Sequence, residues 1–198
     1  KVNAAKYLQR FYNVHMSIGL GSTRTTSKST LRNYYDQVEK KLNLSGENYA
    51  YFFQIYLDAL HNNNAIGLRD INRIITEAMI SPEAPERANR LHWHLSAGAI
   101  VLKVVAPEAL EKLRNGTLNT NEVLEAFGLT DDIAISSDSE LQEIQSAWQW
   151  ATLDPLSMHP GPKIVDLGLA DKEPENRESY IRAILRDSVD TFNSQPPN

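Results

Sequence analysis

Between residues 12 and 18 apolar and polar side chains alternate, with Tyr12, Val14, Met16 and Ile18 set against Asn13, His15 and Ser17. That is the two-residue period of a β-strand. No second segment of comparable clarity follows. A strand without neighbours leaves a row of backbone donors and acceptors unpaired, so a lone strand must find partners elsewhere. The expectation is that 12–18 is the last strand of an α/β sheet whose other strands lie upstream. The chain opens on Lys1 rather than Met, which fits an excerpt of a longer protein.

The strand runs into "GLGSTRTTSKST", residues 19–30, which has the glycines, hydroxyls and lysine of a phosphate-binding loop. The spacing is wrong for one. A Walker A loop needs a glycine, four residues, then Gly-Lys-Ser/Thr, so that backbone amides wrap the phosphates while the lysine reaches over. From Gly21 to Lys28 there is one residue too many, and Ser27 stands where the second glycine must be. The segment reads as a polar connecting loop.

Beyond it the apolar residues repeat at three- and four-residue steps, the mark of amphipathic helices. "TLRNYYDQVEKKLNL" carries Leu31, Tyr34, Tyr35, Val38 and Leu42 on one face, with Thr30 as cap. "ENYAYFFQIYLDALHNNN" carries Tyr49, Phe52, Phe53, Tyr56, Leu57 and Leu60. "GLRDINRIITEAMI" carries Leu68, Ile71, Ile74, Ile75, Ala78 and Met79, and Ser81-Pro82 stops it. A fourth helix is expected over 86–105. "PEALEKLRNG" follows, with Pro107 in a first-turn position and Gly116 as terminator. Asn119 and Glu122 have the spacing of a capping box ahead of "NEVLEAFG", and Ser137 and Glu140 repeat it ahead of "LQEIQSAWQW". Residues 152–174 lose the period; "DPLSMHPGPK" alone holds three prolines and a glycine. A last helix is expected over 175–192, burying Tyr180, Ile181, Ile184, Leu185 and Val189. The fold class is therefore mainly α, a multi-helix domain with one N-terminal strand.

Charge and composition exclude some functions. Twenty basic against 25 acidic residues leave a formal charge of −5, which argues against whole-surface attraction to nucleic acid or anionic lipid. No apolar run approaches the length of a membrane span. With no cysteine and no leader-like opening, a cytoplasmic location is expected.

Catalytic motifs are sparse. There is no Gly-x-Ser-x-Gly elbow and no cysteine nucleophile. His92 and His94 in "LHWHL" are two residues apart, which on a helix turns them about 200° from each other, so both do not reach one metal. Trp93, Trp148 and Trp150 read as core or interface residues rather than a binding cage. The most informative segment is "NAIGLRDINRI". Arg69 and Arg73 are four apart and share one helical face, while Leu68, Ile71, Ile74 and Ile75 look elsewhere. Two guanidiniums on one face suit a phosphate presented by another domain. The plainer alternative is a solvated face in which Arg73 pairs with Asp70 or Glu77.

These pieces, "KYLQRFYNVHMSI", then a variable polar stretch, then "NAIGLRDINRII", then "APEALEKLRNGTLNTNEVLEAF", together resemble the C-terminal part of the KAP P-loop NTPases. The likeness covers residues 4–128, and order and spacing carry it rather than any single motif. The family usually has Asn-Pro-Arg or Thr-Pro-Arg where this chain has Gly67-Leu68-Arg69.

The resemblance implies a division of the chain. Residues 1–20 would be the last strand of an α/β P-loop core, 21–30 a connecting loop, 31–128 a helical lid, and 129–198 a C-terminal helical extension with an irregular connection at 152–174. It implies ATP and Mg²⁺ held by an upstream nucleotide-binding core, with no Walker A or B segment in this chain. Arg69 would make a sensor-like contact to the γ-phosphate, with Arg73 and then Arg10 as further candidates. A role in defence or signalling, with membrane association through other regions of the protein, is also implied. Residues 129–198 would offer a surface to a partner protein or a second copy. The rival expectation is a stand-alone helical interaction module with no nucleotide role, its Trp-bearing helices forming the partner groove.

Overall fold

The structure, a computed structural model, describes residues 47–62, 66–80, 88–130, 135, 137–152 and 162–190. The expected strand at 12–18, the polar loop, the helix expected around 31–42 and Arg10 lie outside the described residues. Among the described residues seven helices run in the order α1 Glu47–Asn62, α2 Leu68–Ile80, α3 Arg90–Val105, α4 Pro107–Arg114, α5 Thr120–Ala126, α6 Ser139–Ala151 and α7 Arg177–Ser188, and there is no strand.

The fold is organised around α3. Its sequence, "RLHWHLSAGAIVLKVV", is apolar on nearly every side past its first turn, and a helix of that kind is stable only when surrounded. Leu91, Leu95, Ile100, Val101 and Leu102 are all buried. α1, α2, α4, α6 and α7 each pack on it, and α5 packs on α4 and α6. The helix begins at Arg90, later than the expected residue 86. The reason is Asn89: its backbone is extended (φ −89°, ψ 174°), and its side chain accepts from the His92 amide at 2.9 Å. An amide satisfied by that cap fixes the start of the helix. At the other end, Ala106 turns the chain at φ −147°, and Pro107 opens α4 in the first-turn position expected of it.

α1 and α2 are amphipathic in the expected register. α1 buries Phe52, Phe53, Ile55, Tyr56, Leu57, Ala59 and Leu60, and α2 buries Ile71, Ile74, Ile75 and Ala78. At roughly 25 cal/mol per Å² of apolar surface, each fully buried isoleucine contributes about 1.5–3 kcal/mol, so α2 is held by three such residues. Lys103 of α3 ties the assembly at its rim, donating to Glu77 of α2 at 2.6 Å and to the Val189 carbonyl after α7 at 3.2 Å.

The short helices follow their caps. The Asn119–Glu122 capping box is formed in both directions, at 2.9 Å and 3.2 Å. Gly116 after α4 adopts φ 67°, a left-handed turn that favours glycine. The cap of α6 differs from expectation: Asp138, not Ser137, is the N-cap, and its carboxylate accepts from the amides of Glu140 and Leu141. A carboxylate adds charge–dipole attraction that a hydroxyl lacks. α7 starts at Arg177 behind an Asn176 cap and buries Ile184, Leu185 and Val189 on the expected face, with Tyr180 and Ile181 half-buried.

The described part of the irregular connection is not passive. Ile164, Leu169 and Ala170 are buried, and the Leu169 carbonyl accepts from the Leu91 amide at 2.7 Å. That amide lies in the first turn of α3, where no intrahelical acceptor exists. No described helix is long and apolar enough to cross a membrane.

Candidate functional site

Two places hold polar chemistry in a defined arrangement. The first is the outer face of α2. With Ile71, Ile74, Ile75 and Ala78 against the core, the same helix exposes Arg69, Asn72 and Arg73 to solvent. Neither arginine makes an ion pair or hydrogen bond among the described residues. The partners expected for Arg73 are engaged elsewhere. Glu77 binds Lys103, and the Asp70 carboxylate reaches back to the Gly67 amide at 3.4 Å at the start of the helix. Two guanidiniums one turn apart, on a helix whose other face is anchored, form a small cationic surface open to an anion.

The second place is the seam where α1, α3 and α6 meet. Arg90 and His94 are four residues apart on α3 and share a face, and both reach Glu143 of α6. Arg90 donates to the carboxylate at 2.5 Å from Nη2, and His94 Nε2 lies 3.1 Å from the same oxygen, Oε2. Glu140, one turn before Glu143, accepts from the Tyr51 hydroxyl of α1 at 2.8 Å. The Arg90 guanidinium also lies 5.6 Å from the centre of the Phe52 ring, a cation–π contact. Phe52 in turn meets the His94 ring edge-on at 4.6 Å.

Electrostatics at this seam follow burial first. Burial raises the Glu143 carboxyl, but hydrogen bonds from His94 and Arg90 outweigh it, so its pKa lies below the ordinary value. Burial pushes His94 down despite the hydrogen bond to Glu143. Burial and the hydrogen bond to Glu140 both raise Tyr51. His94 is therefore the neutral member of a His–Glu–Arg triad. Its Nδ1 is buried and finds no hydrogen-bond partner among the described residues.

Directly behind the triad lies a relay with no titrating role. The Trp148 indole donates to the Tyr56 hydroxyl at 2.8 Å, and that hydroxyl donates to the His94 carbonyl at 3.0 Å. Both rings are fully buried and they close on Gly98: a Cβ built there would stand 2.5 Å from Trp148 Cζ2 and 2.9 Å from Tyr56 Oη. Only glycine permits this approach. Burial holds the Tyr56 phenol protonated well above its usual range.

His92 and His94 part company as their spacing requires. His92 faces Tyr180 of α7, ring centres 6.2 Å apart, and burial lowers its pKa as well. The Tyr180 hydroxyl donates to the capping oxygen of Asn89 at 3.3 Å, and burial pushes that phenol up to about 12. Trp148 and Trp150 are buried in the core and Trp93 is half-buried, in a parallel arrangement with Phe52 at 6.4 Å. A cavity of about 10 Å³ lies between Leu95, Ala99, Trp148 and Ile184. It is lined by apolar side chains and lies at the lower limit of the space one water needs.

Sequence reasoning singled out Arg69 and Arg73 but passed over Arg90, Glu143, Tyr51 and Glu140. A signal was present for three of them: Arg90 with His94 at i, i+4, and Glu140 with Glu143 at i, i+3, each mark one helical face. Nothing in either pattern says that the two faces meet. Comparison of the chain with protein families, with curated proteins and with solved structures found no match.

Proposed function

We propose that this chain is the helical lid region of a KAP-like P-loop ATPase, which contacts nucleotide bound by an upstream core and relays its state to a partner domain. The observation that carries the reading is the outer face of α2. Arg69 and Arg73 are exposed together and unpaired among the described residues, on a helix whose inner face is buried against α3. That supports a guanidinium contact offered outward from a rigid platform, the arrangement in which an arginine stabilises charge developing on a transferred phosphoryl group. A phosphate fits this pair. In this reading the Mg²⁺ of such an ATPase is held with the nucleotide by the upstream core. Within this reading α3 is the transmitting element, because it touches α2 on one side and α6 and α7 on others.

The test is ATP hydrolysis by the protein carrying its natural upstream region, with Arg69→Ala beside the unaltered chain. The expected result is a fall in kcat of about 10²-fold with ATP affinity changed by only a few-fold. Unchanged hydrolysis, or an upstream region that binds no ATP, would sink the reading.

The rival reading is a stand-alone helical interaction module. It is favoured by the self-contained packing around α3 and by two exposed apolar side chains, Val165 and Leu167, beside Gly168 in the connection before α7. Its partner groove would not be built from Trp148 and Trp150, which the core consumes. Absence of nucleotide binding together with a specific protein partner would decide for it.

A further inference from the structure

We propose that His94 is an acid-sensitive latch on the α1–α3–α6 seam: the neutral ring closes the seam on Glu143, and a second proton on the ring loosens it. The inference is independent of the ATPase reading and stands on the geometry around one imidazole.

The ring has no exposed surface, and among the described residues only one of its nitrogens finds a partner. With Nε2–H donating to Glu143, Nδ1 is a bare acceptor. A bare acceptor in an apolar wall is tolerable, but a proton there makes an N–H donor and a net charge with no acceptor to meet them. Among the described residues the charged and titratable groups facing the ring are few. From α6 come Glu143, in contact with it, and Glu140 farther off; from α3 itself comes Arg90; from α1 come Tyr51 and Tyr56. Glu143 favours an imidazolium most and Glu140 adds a weaker pull from farther off, but the Glu143 carboxylate is already shared with the Arg90 guanidinium, a like charge to the one that would form. His92, two residues along the helix, points to Tyr180 and does not compete.

The direction of the effect follows from this packing. The ring's pKa lies below the ordinary 6.5, with burial the largest cause. The unfolded chain then binds the proton more readily than the folded one between that depressed value and 6.5. Stability is fully present above about 6.5 and falls as the pH drops toward the folded value, at up to about tenfold in the unfolding constant per pH unit. Relief requires the ring to leave Glu143 of α6 and to displace Phe52 of α1, so loosening begins where those two helices meet α3.

The experiment compares urea unfolding of the 198-residue chain and of its His94→Gln variant between pH 7.5 and pH 5. Glutamine keeps an N–H donor for Glu143 and does not titrate. The expected result is that the unfolding constant of the unaltered chain rises relative to the variant by up to about tenfold per pH unit below 6.5. Parallel curves would overturn the latch. Should the variant not fold, histidine NMR of the unaltered chain decides: a native His94 that stays neutral as the Nε2–H tautomer well below pH 6.5 supports it, and a native ring that titrates at 6.5 or above refutes it. Hydrogen exchange at pH 5.5 tests the location. Early loss of protection in α1 and α6 relative to α7 is expected, and uniform loss would refute a latch at this seam.

Discussion

The α1–α3–α6 seam and the outer face of α2 treat charge in opposite ways. At the seam, Arg90 is committed to a carboxylate that also serves a buried histidine, and an aromatic ring lies against its guanidinium. On α2, Arg69 and Arg73 are bound to nothing described, though acidic groups stand nearby in sequence. The difference shows why proximity in sequence is a poor guide to pairing. Asp70 is drawn to the helix start and Glu77 to Lys103 of another helix, so local partners for Arg73 are removed by tertiary demand. A network anchored on a buried ring contributes to stability and specificity, whereas an unpaired exposed pair contributes little to folding and remains available to a ligand.

The sharpest way to break the buried side of that comparison is Trp148→Ala. It removes a fully buried indole together with the donor to Tyr56, and a loss of about 4 kcal/mol is expected, read as a shift in the urea midpoint. A loss under about 1 kcal/mol would mean that the ring is not packed as described.

Gly98→Ala should come next. Alanine gains about 1 kcal/mol of helix propensity over glycine, yet its Cβ would stand 2.5 Å from the Trp148 ring, which is held on all sides. Overpacking of this kind costs about 1–3 kcal/mol, and with two fully buried rings in the way it outweighs the propensity gain, so net destabilisation is expected in thermal unfolding. The cleaner signature is coupling: in the Gly98→Ala, Trp148→Phe double variant the smaller ring makes room, and the combined loss should fall short of the sum of the single losses. Strict additivity would count against the close approach.

The smallest stability effect belongs to the other side. Arg69→Ala and Arg73→Ala should each leave the unfolding midpoint within about 0.5 kcal/mol of the unaltered chain. A larger loss would show that α2 uses these side chains for folding and would erase the contrast. A neutral effect on stability also makes any loss of hydrolysis interpretable as loss of a contact to ligand.

Much of the helical content was legible from local rules, because each depends on neighbours within a turn or two. The apolar faces of α1 and α2, the Asn119–Glu122 box, Pro107 in the first turn of α4 and the left-handed Gly116 all follow from periodicity, capping and backbone sterics. Where two local rules competed, the reading slipped. Asp138 displaced Ser137 as the cap of α6, and Asn89 sets the start of α3 inside the segment expected to begin at residue 86. On the candidate site, the exposure of Arg69 and Arg73 agrees with a face opposite the isoleucines, which the same period predicts.

By itself, then, the amino-acid order determined which stretches are helical, which side of each turns inward, and that His92 and His94 point apart. It did so because a 3.6-residue period and a capping side chain act over a few residues. Only the tertiary structure decided that α3 would be the helix that α1, α2, α4, α6 and α7 share, that its Gly98 would admit Trp148 and Tyr56, and that His94 would meet Glu143 from 49 residues away. Those outcomes depend on which faces come together, and the contact that joins two faces is written in neither helix alone.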